Sequence, residues 1–191
     1  MQEHLAVVSY NFIQRKYNFN ALLRRLIRLD YAYMRGLTKA EEGTQRNWVP
    51  VFRKSPYSSG YLVNDRLDIF GYWHFVALKK KQFEKAKRGM LMDSEITADA
   101  IYSLRKNGAY SMYIVETVLM PKYRDTDAIV MLDNSFFDAV YAFARGGVYF
   151  KEVLTNAFTH DGEKRCAMRG MHFAARHILR GSMYYMDFSD F

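Results

Sequence analysis

The stretch Tyr113-Ile-Val-Glu-Thr-Val-Leu-Met-Pro-Lys-Tyr-Arg-Asp-Thr-Asp-Ala-Ile-Val-Met-Leu132 decides how this chain folds. β-Branched and apolar residues from Tyr113 to Met120 predict a strand. Pro121 stops it by removing a backbone donor and holding its predecessor extended. Ile129, Leu132, Phe136 and Val140 then recur three to four residues apart, the spacing of a helix with one buried stripe. The short charged turn between them feeds a helix N-terminus, where unpaired N–H groups and a partial positive charge favour an anion such as phosphate. Asp125 and Asp127 lie in that turn and complicate the reading.

Working outward, Leu5 to Tyr10 alternates weakly as a first strand. Asn20 is a candidate cap for a helix through Leu22, Leu23, Leu26, Ile27 and Tyr31, closed by Gly36. A short helix from Thr44 to Lys54 contains Pro50, and Ser58-Ser-Gly is a turn. Tyr61-Leu-Val and Asp68 to Leu78 form a hairpin about Asn64-Asp65. Lys79 to Gly89 has a helical period, Ala98 to Leu104 reads as a short helix, and Asn107-Gly108 as a turn. Beyond the quoted stretch come a Gly146-Gly147 break, a β-rich run from Val148 to Phe158, and a helix from His160 closed by Gly170. Met171 to Phe191 supplies one or two last strands. Hairpins first and alternating helices later predict an α/β fold, a mixed sheet with helices on both faces.

The chain has 191 residues, half of them hydrophobic and a quarter charged, which suits a single domain over 1–191 with one substantial core. No apolar run reaches the roughly 20 residues of a membrane span. No secretory signal is visible in Met1 to Val8, so a cytoplasmic protein is the expectation. The single cysteine and five histidines show no metal-ligand spacing. A net charge of +8 favours an anionic partner, whether nucleotide, coenzyme, nucleic acid or acidic surface. Solvated helix faces are the ordinary explanation of the clusters at Arg24 to Arg28, Lys79 to Arg88 and Lys164 to Arg169.

The order of elements and several strings resemble the GNAT acyltransferase superfamily, whose members use acyl-CoA. The resembling strings are Ile69 to Leu78, Phe83 to Gly89, Ser94 to Asp99, Tyr113 to Val118 with Met120 to Arg124, Lys151 to Ala157, and Gly162 to Met171. The resemblance implies a central mixed, mostly antiparallel sheet that opens as a V between its fourth and fifth strands. It also implies acetyl-CoA as co-substrate, with pantetheine against Val118, Leu119 and Met120 and pyrophosphate under Arg124, Asp125, Thr126, Asp127, Ala128 and Ile129. The family loop reads Gln or Arg, two residues, Gly, one residue, then Gly or Ala. Here Asp127 and Ile129 stand at the small-residue positions. A carboxylate about 6 Å from one phosphate charge costs about 3 kcal/mol at an effective dielectric near 20. Alternatively Asp125 or Asp127 caps the helix itself.

For acyl transfer to an amine, Glu116 is the general-base candidate, since burial on a central strand raises a carboxyl towards the working pH. Its other reading is a structural carboxylate paired with a lysine or arginine. The resemblance places Cys166, four residues before Gly170, where the family often has the tyrosine that protonates the leaving thiolate. Tyr184 or Tyr185 is a substitute from the last strand, and Asn156 matches a polar position that meets coenzyme or substrate. His74 reads as a core histidine. The implied partners are an amine-bearing small molecule or protein, with an inactive GNAT-like binding protein and an RNA-linked amine such as aminoacyl-tRNA as further readings. No membrane is implied, and a homodimer suits the family.

Overall fold

The computed structural model describes residues 4–34 and 36–188; the beginning of the N-terminal stretch and the end of the C-terminal stretch read above lie outside them. Seven strands are β1 (Leu5–Ser9), β2 (Ser59–Asn64), β3 (Ile69–Leu78), β4 (Gly108–Leu119), β5 (Val148–Ala157), β6 (His172–Arg176) and β7 (Ser182–Asp187). The helices are α1 (Tyr10–Ile13), α2 (Phe19–Tyr33), α3 (Lys39–Glu42), α4 (Gln45–Lys54), α5 (Lys80–Lys87), α6 (Ala128–Arg145) and α7 (His160–Met168). The strands form one sheet in the order β1-β2-β3-β4-β5-β7-β6. Every neighbouring pair is antiparallel except β4 and β5. This is the mixed, mostly antiparallel sheet that the sequence implies.

Every residue of β3 is buried, which places this strand at the centre with both faces covered. One face carries Tyr72, Val76 and Leu78 against Leu22, Leu26 and Trp48 from α2 and α4. The other carries Phe70, Trp73 and Phe75 against Leu132 and Phe136 of α6. There Phe75 meets Phe136, Phe143 and Phe150 edge-on at 5.4 to 5.9 Å, an arrangement that suits the ring quadrupoles. The Trp73 indole N–H donates to Ser135 Oγ at 2.8 Å, which fixes α6 in register on the sheet. A third small cluster holds α7 through Cys166 against Ala157 and Met171.

Several local readings are corrected. Asn18, not Asn20, caps α2, its Oδ1 accepting from Ala21 N–H at 2.9 Å. Tyr10 begins a helical turn rather than ending a strand. Residues 98–104 make only one 3-10 turn, Ala98–Ala100. Ile101 then bridges to Leu78, with Tyr102 N–H on the Ala77 carbonyl and Lys79 N–H on that of Ala100. Pairing to the central strand overrides helix propensity there. Strand β4 also begins at Gly108, five residues before Tyr113, because Gly108 already pairs with Val148.

Two irregularities shape the middle of the sheet. The β3–β4 register shifts between His74 and Phe75, whose partners are Glu116 and Ile114, so Val115 is an extra residue. The β4–β5 ladder ends at Ile114 and Thr155, where the Thr155 hydroxyl donates to the Ile114 carbonyl at 3.0 Å. Beyond that vertex β4 runs on to Leu119 without pairing to β5, and the two strands part as a V.

At the far end, Gly89 joins α5 to the β6–β7 turn at φ +72°, and a Cβ there would lie 2.1 Å from the Arg176 carbonyl oxygen. The Gly89 carbonyl also accepts from Ile178 N–H at 2.8 Å, so the two backbones cannot separate freely. Gly89→Ala is therefore expected to lower stability by roughly 2 kcal/mol or more, read as a drop in the urea unfolding midpoint.

Candidate active site at the parted strands

Where β4 parts from β5, the hydrogen-bonding edge of β4 is set by its pairing with β3. Met120 N–H donates to the Phe70 carbonyl at 2.8 Å, and alternation along an antiparallel ladder commits Val118 and Glu116 to β3 in the same way. The backbone groups of Thr117 and Leu119 consequently point into the V. The sequence reading assigned Val118, Leu119 and Met120 together; of these, Leu119 presents the edge, and its carbonyl already accepts from Arg124 Nε at 3.2 Å.

The turn after β4 closes on itself. Tyr123, Arg124, Thr126 and Ile129 donate their N–H groups to the carbonyls of Met120, Pro121, Tyr123 and Thr126. The Thr126 hydroxyl donates to the Tyr123 carbonyl at 2.8 Å and accepts from Ala128 N–H at 3.2 Å. Thr126, rather than either aspartate, is thus the side chain that satisfies the start of α6. Asp125 and Asp127 are exposed, and Asp127 makes no capping bond. Lys151 lies at the register shift beside Tyr110 and Ser111, about 26 Å or more along β4 from Leu119 at the strand rise, and does not converge with Lys122 and Arg124.

Two cavities flank the V on opposite faces of the sheet. The first, a small hollow open to solvent, lies between α6 and α7 over Trp73, Ile114 and Thr117. Asp133 of α6 spans its roof, accepting from Arg169 at 2.6 Å and from Arg165 at 3.2 Å, both on α7. Cys166, in the same helix, is buried, and burial pushes its thiol above the usual range. Tyr184 packs in the Cys166 cluster. The Tyr185 hydroxyl instead lies 2.7 Å from an Asp187 oxygen and 3.2 Å from one of Glu152, and its one proton serves the nearer. The Asn156 amide donates to the Arg180 carbonyl at 3.1 Å, which ties it to the β6–β7 turn and away from both cavities.

The second cavity, about 260 Å³ out to its mouth, lies between the sheet and α2 and α4. Asp30, Glu42 and Glu116 line it, and no lysine or arginine does. The pairing of Glu116 with a basic residue is therefore replaced by a cluster of carboxyls. Burial, then the neighbouring charges of Asp30, Glu42 and Asp93, hold Glu116 well above the carboxylate range. Burial pushes Asp30 up to about 7 despite the Tyr72 hydroxyl, which donates to its Oδ1 at 2.7 Å. Burial and then the charges of Asp30 and Asp93 push Glu42 to about 10, and burial lifts Asp93 to about 7.

His74 also lines this cavity. Its Nδ1 lies 3.0 Å from the Ser58 carbonyl and 2.8 Å from Ser59 Oγ. A carbonyl only accepts, so Nδ1 carries the proton and Nε2 presents a lone pair. Burial lowers the imidazole to about 3, and Phe52 stacks on it at 4.0 Å. The sequence hinted at Asp30, which falls on the inward stripe of Leu22, Leu23, Leu26 and Leu29; nothing local marked Glu42, Asp133 or the open nitrogen of His74.

No family model and no curated protein sequence matches the chain. Solved structures do. YhbS of Escherichia coli, a GNAT family N-acetyltransferase solved with CoA, aligns over 100% of this chain and 84% of that one at 10% identity and a TM-score of 0.55. A GNAT family acetyltransferase from Staphylococcus aureus Mu50 covers 97% and 99% at 9% identity and 0.56. Naa50 of Arabidopsis thaliana, in complex with the bisubstrate analogue CoA-Ac-MVNAL, covers 95% of each chain at 10% identity and 0.53. The chain has the GNAT N-acetyltransferase fold.

The buried carboxyls make stability depend on pH in a definite direction. Folded, they keep protons that the unfolded chain releases near pH 4, so their contribution is complete below that pH and is lost as pH rises through about 7 for Asp30 and Asp93 and towards 10 for Glu42. His74 opposes this only below its ordinary 6.5, where the unfolded imidazole gains a proton that the folded one refuses. Between about pH 6.5 and about pH 8.5 the urea midpoint is therefore expected to fall, and Asp30→Asn or Glu42→Gln to flatten the slope. A midpoint that rises over that window would mean ionised carboxylates in the folded protein.

Proposed function

We propose that the protein is an acyltransferase that moves an acetyl group from acetyl-CoA to a primary amine by direct attack. The observation that carries this reading is the V itself, beside which adjacent residues of β4 face opposite ways, Glu116 lining the carboxyl-lined cavity and Thr117 the α6–α7 cavity. The free edge at Thr117 and Leu119 fits an amide-bearing arm, and Arg165, Arg169, Arg124 and Lys122 fit a phosphate-rich head. The self-paired turn fits that head poorly, so side-chain cations replace backbone N–H groups in holding it.

Acetyl-CoA supplies an activated thioester. The amine enters as an ammonium from the α2–α4 side, and its charge drives the Glu116 proton out to solvent and leaves a carboxylate. Glu116 then takes a proton from the nitrogen, freeing its lone pair for the acyl carbon. Leu119 N–H polarises the acyl oxygen, and the aromatic walls keep water out. Tyr184 and Cys166 are the nearby proton donors for the departing sulfur, of which a phenol is the better hydrogen-bond donor.

A GNAT-like protein that binds without catalysis is the second reading, favoured by the self-capped turn and by Cys166 in place of tyrosine. Release of free CoA thiol from acetyl-CoA in the presence of an amine panel separates the two. Turnover should fall about 100- to 1,000-fold in Glu116→Gln with CoA binding retained. CoA binding without turnover for any amine would leave the second reading standing. Asp133→Ala, which releases Arg165 and Arg169 from α6, should tighten CoA binding by roughly three- to tenfold in calorimetry. Weaker binding would assign Asp133 to holding the cleft in shape.

A further inference from the structure

The carboxyl-lined cavity has features that acyl transfer alone does not require. One of its buried polar atoms, His74 Nε2, has no hydrogen-bond partner, and His74 is 2% exposed; Asp30, 1% exposed, shares a proton with the Glu42 carboxyl beside it. Buried polar groups are nearly always bonded, so an acceptor left open on a small cavity marks a place for a donor. Three carboxyls with no lysine or arginine among the lining residues stay protonated for want of a counter-charge, and a cation that draws off a proton is the donor they suit best. Among the described residues no group of three acidic, histidine or cysteine side chains has the geometry to hold a metal ion. Trp48, Phe52 and Tyr72 wall the space with rings, which suits a cation with hydrogen atoms or carbon around it.

Size narrows the choice. The cavity's enclosed part has room for about one water-sized group, which is the size of an ammonium head. An ammonium offers three N–H donors, enough for His74 Nε2 and for the Asp30 and Glu116 carboxyls that line the same space. A guanidinium or a quaternary ammonium exceeds the space. An amine whose adjacent carbon is branched, as at a peptide N-terminus, brings extra carbons where the rings already stand. Ile27 is the one lining residue that is not fully buried, so the mouth lies beside it, between α2 and α4.

We propose that Asp30, Glu42, Glu116 and the open nitrogen of His74 form a receptor for the –CH2–NH3+ head of an unbranched primary amine, which enters past Ile27. As a substrate assignment this rests on the acyl-transfer reading; as a binding site it does not. The protein therefore takes slender alkylamines, or the tip of a lysine side chain, in preference to α-branched amines.

The test is calorimetry and thermal shift on the full chain without any coenzyme. The probes are n-butylammonium, sec-butylammonium and tetramethylammonium chlorides, with sodium chloride as the ionic control. n-Butylammonium should bind with Kd on the order of 1 mM, and sec-butylammonium at least about tenfold more weakly. Tetramethylammonium should match sodium chloride. Asp30→Asn, which preserves shape, should weaken n-butylammonium about tenfold or more, and Ile27→Trp, placed at the mouth, should block it. Equal responses to all cations, no n-butylammonium binding up to about 50 mM, or an unaffected Asp30→Asn would each overturn the proposal. A protein that binds n-butylammonium but never turns over acetyl-CoA defeats the acyl-transfer reading and leaves the receptor. One that acetylates branched and unbranched amines alike defeats the receptor and leaves the acyl-transfer reading.

Discussion

The parting of β4 from β5 governs the rest of this molecule. Parallel strands are ordinarily buried and continuous, and ending their ladder after Ile114 and Thr155 leaves backbone groups that must find other partners. The Thr155 hydroxyl seals the vertex, and the extra residue Val115 lets β4 keep its register with β3 on one side while turning from β5 on the other. The same irregularity brings Val115 and Glu116 to one cavity. A sheet defect thus sets both the opening and the position of the carboxyl above it.

Much of the architecture could be read in the chain because it rests on local periodicity. The run of β3, apolar but for His74, the strand ending at Pro121, and the stripe of Leu132, Phe136 and Val140 all follow spacing that any window of the sequence displays. Where reading failed, a distant partner decided the outcome. Residues 98–104 have helical propensity, yet Ile101 is drawn to Leu78. Asn18 outcompetes Asn20 because the helix begins at Phe19, a choice that packing of Phe19 on the core fixes.

The site was legible in part and for the same reason. Glu116 stands out on an apolar strand, whereas its companions come from α2, α3 and β3, separated by tens of residues. His74 looks like an ordinary core histidine from its neighbours Trp73 and Phe75. Only the fold reveals that one nitrogen is bonded and the other faces a cavity. The α6–α7 bridge from Asp133 to Arg165 and Arg169 joins segments about thirty residues apart, beyond the reach of any spacing rule.

The Thr126 hydroxyl at the start of α6 has a further consequence. It acts as an internal competitor, since a phosphate seeking the Ala128 N–H must displace a ligand tethered two residues away. Tethering gives such a ligand an effective concentration in the millimolar range or above, before any anion is added. An anion brought to this turn would therefore meet the side-chain cations of Lys122 and Arg124 before any free N–H group of the helix. Attraction to exposed side-chain cations weakens as salt screens it, so a turn that satisfies its own N–H groups makes any hold on an anion depend on ionic strength.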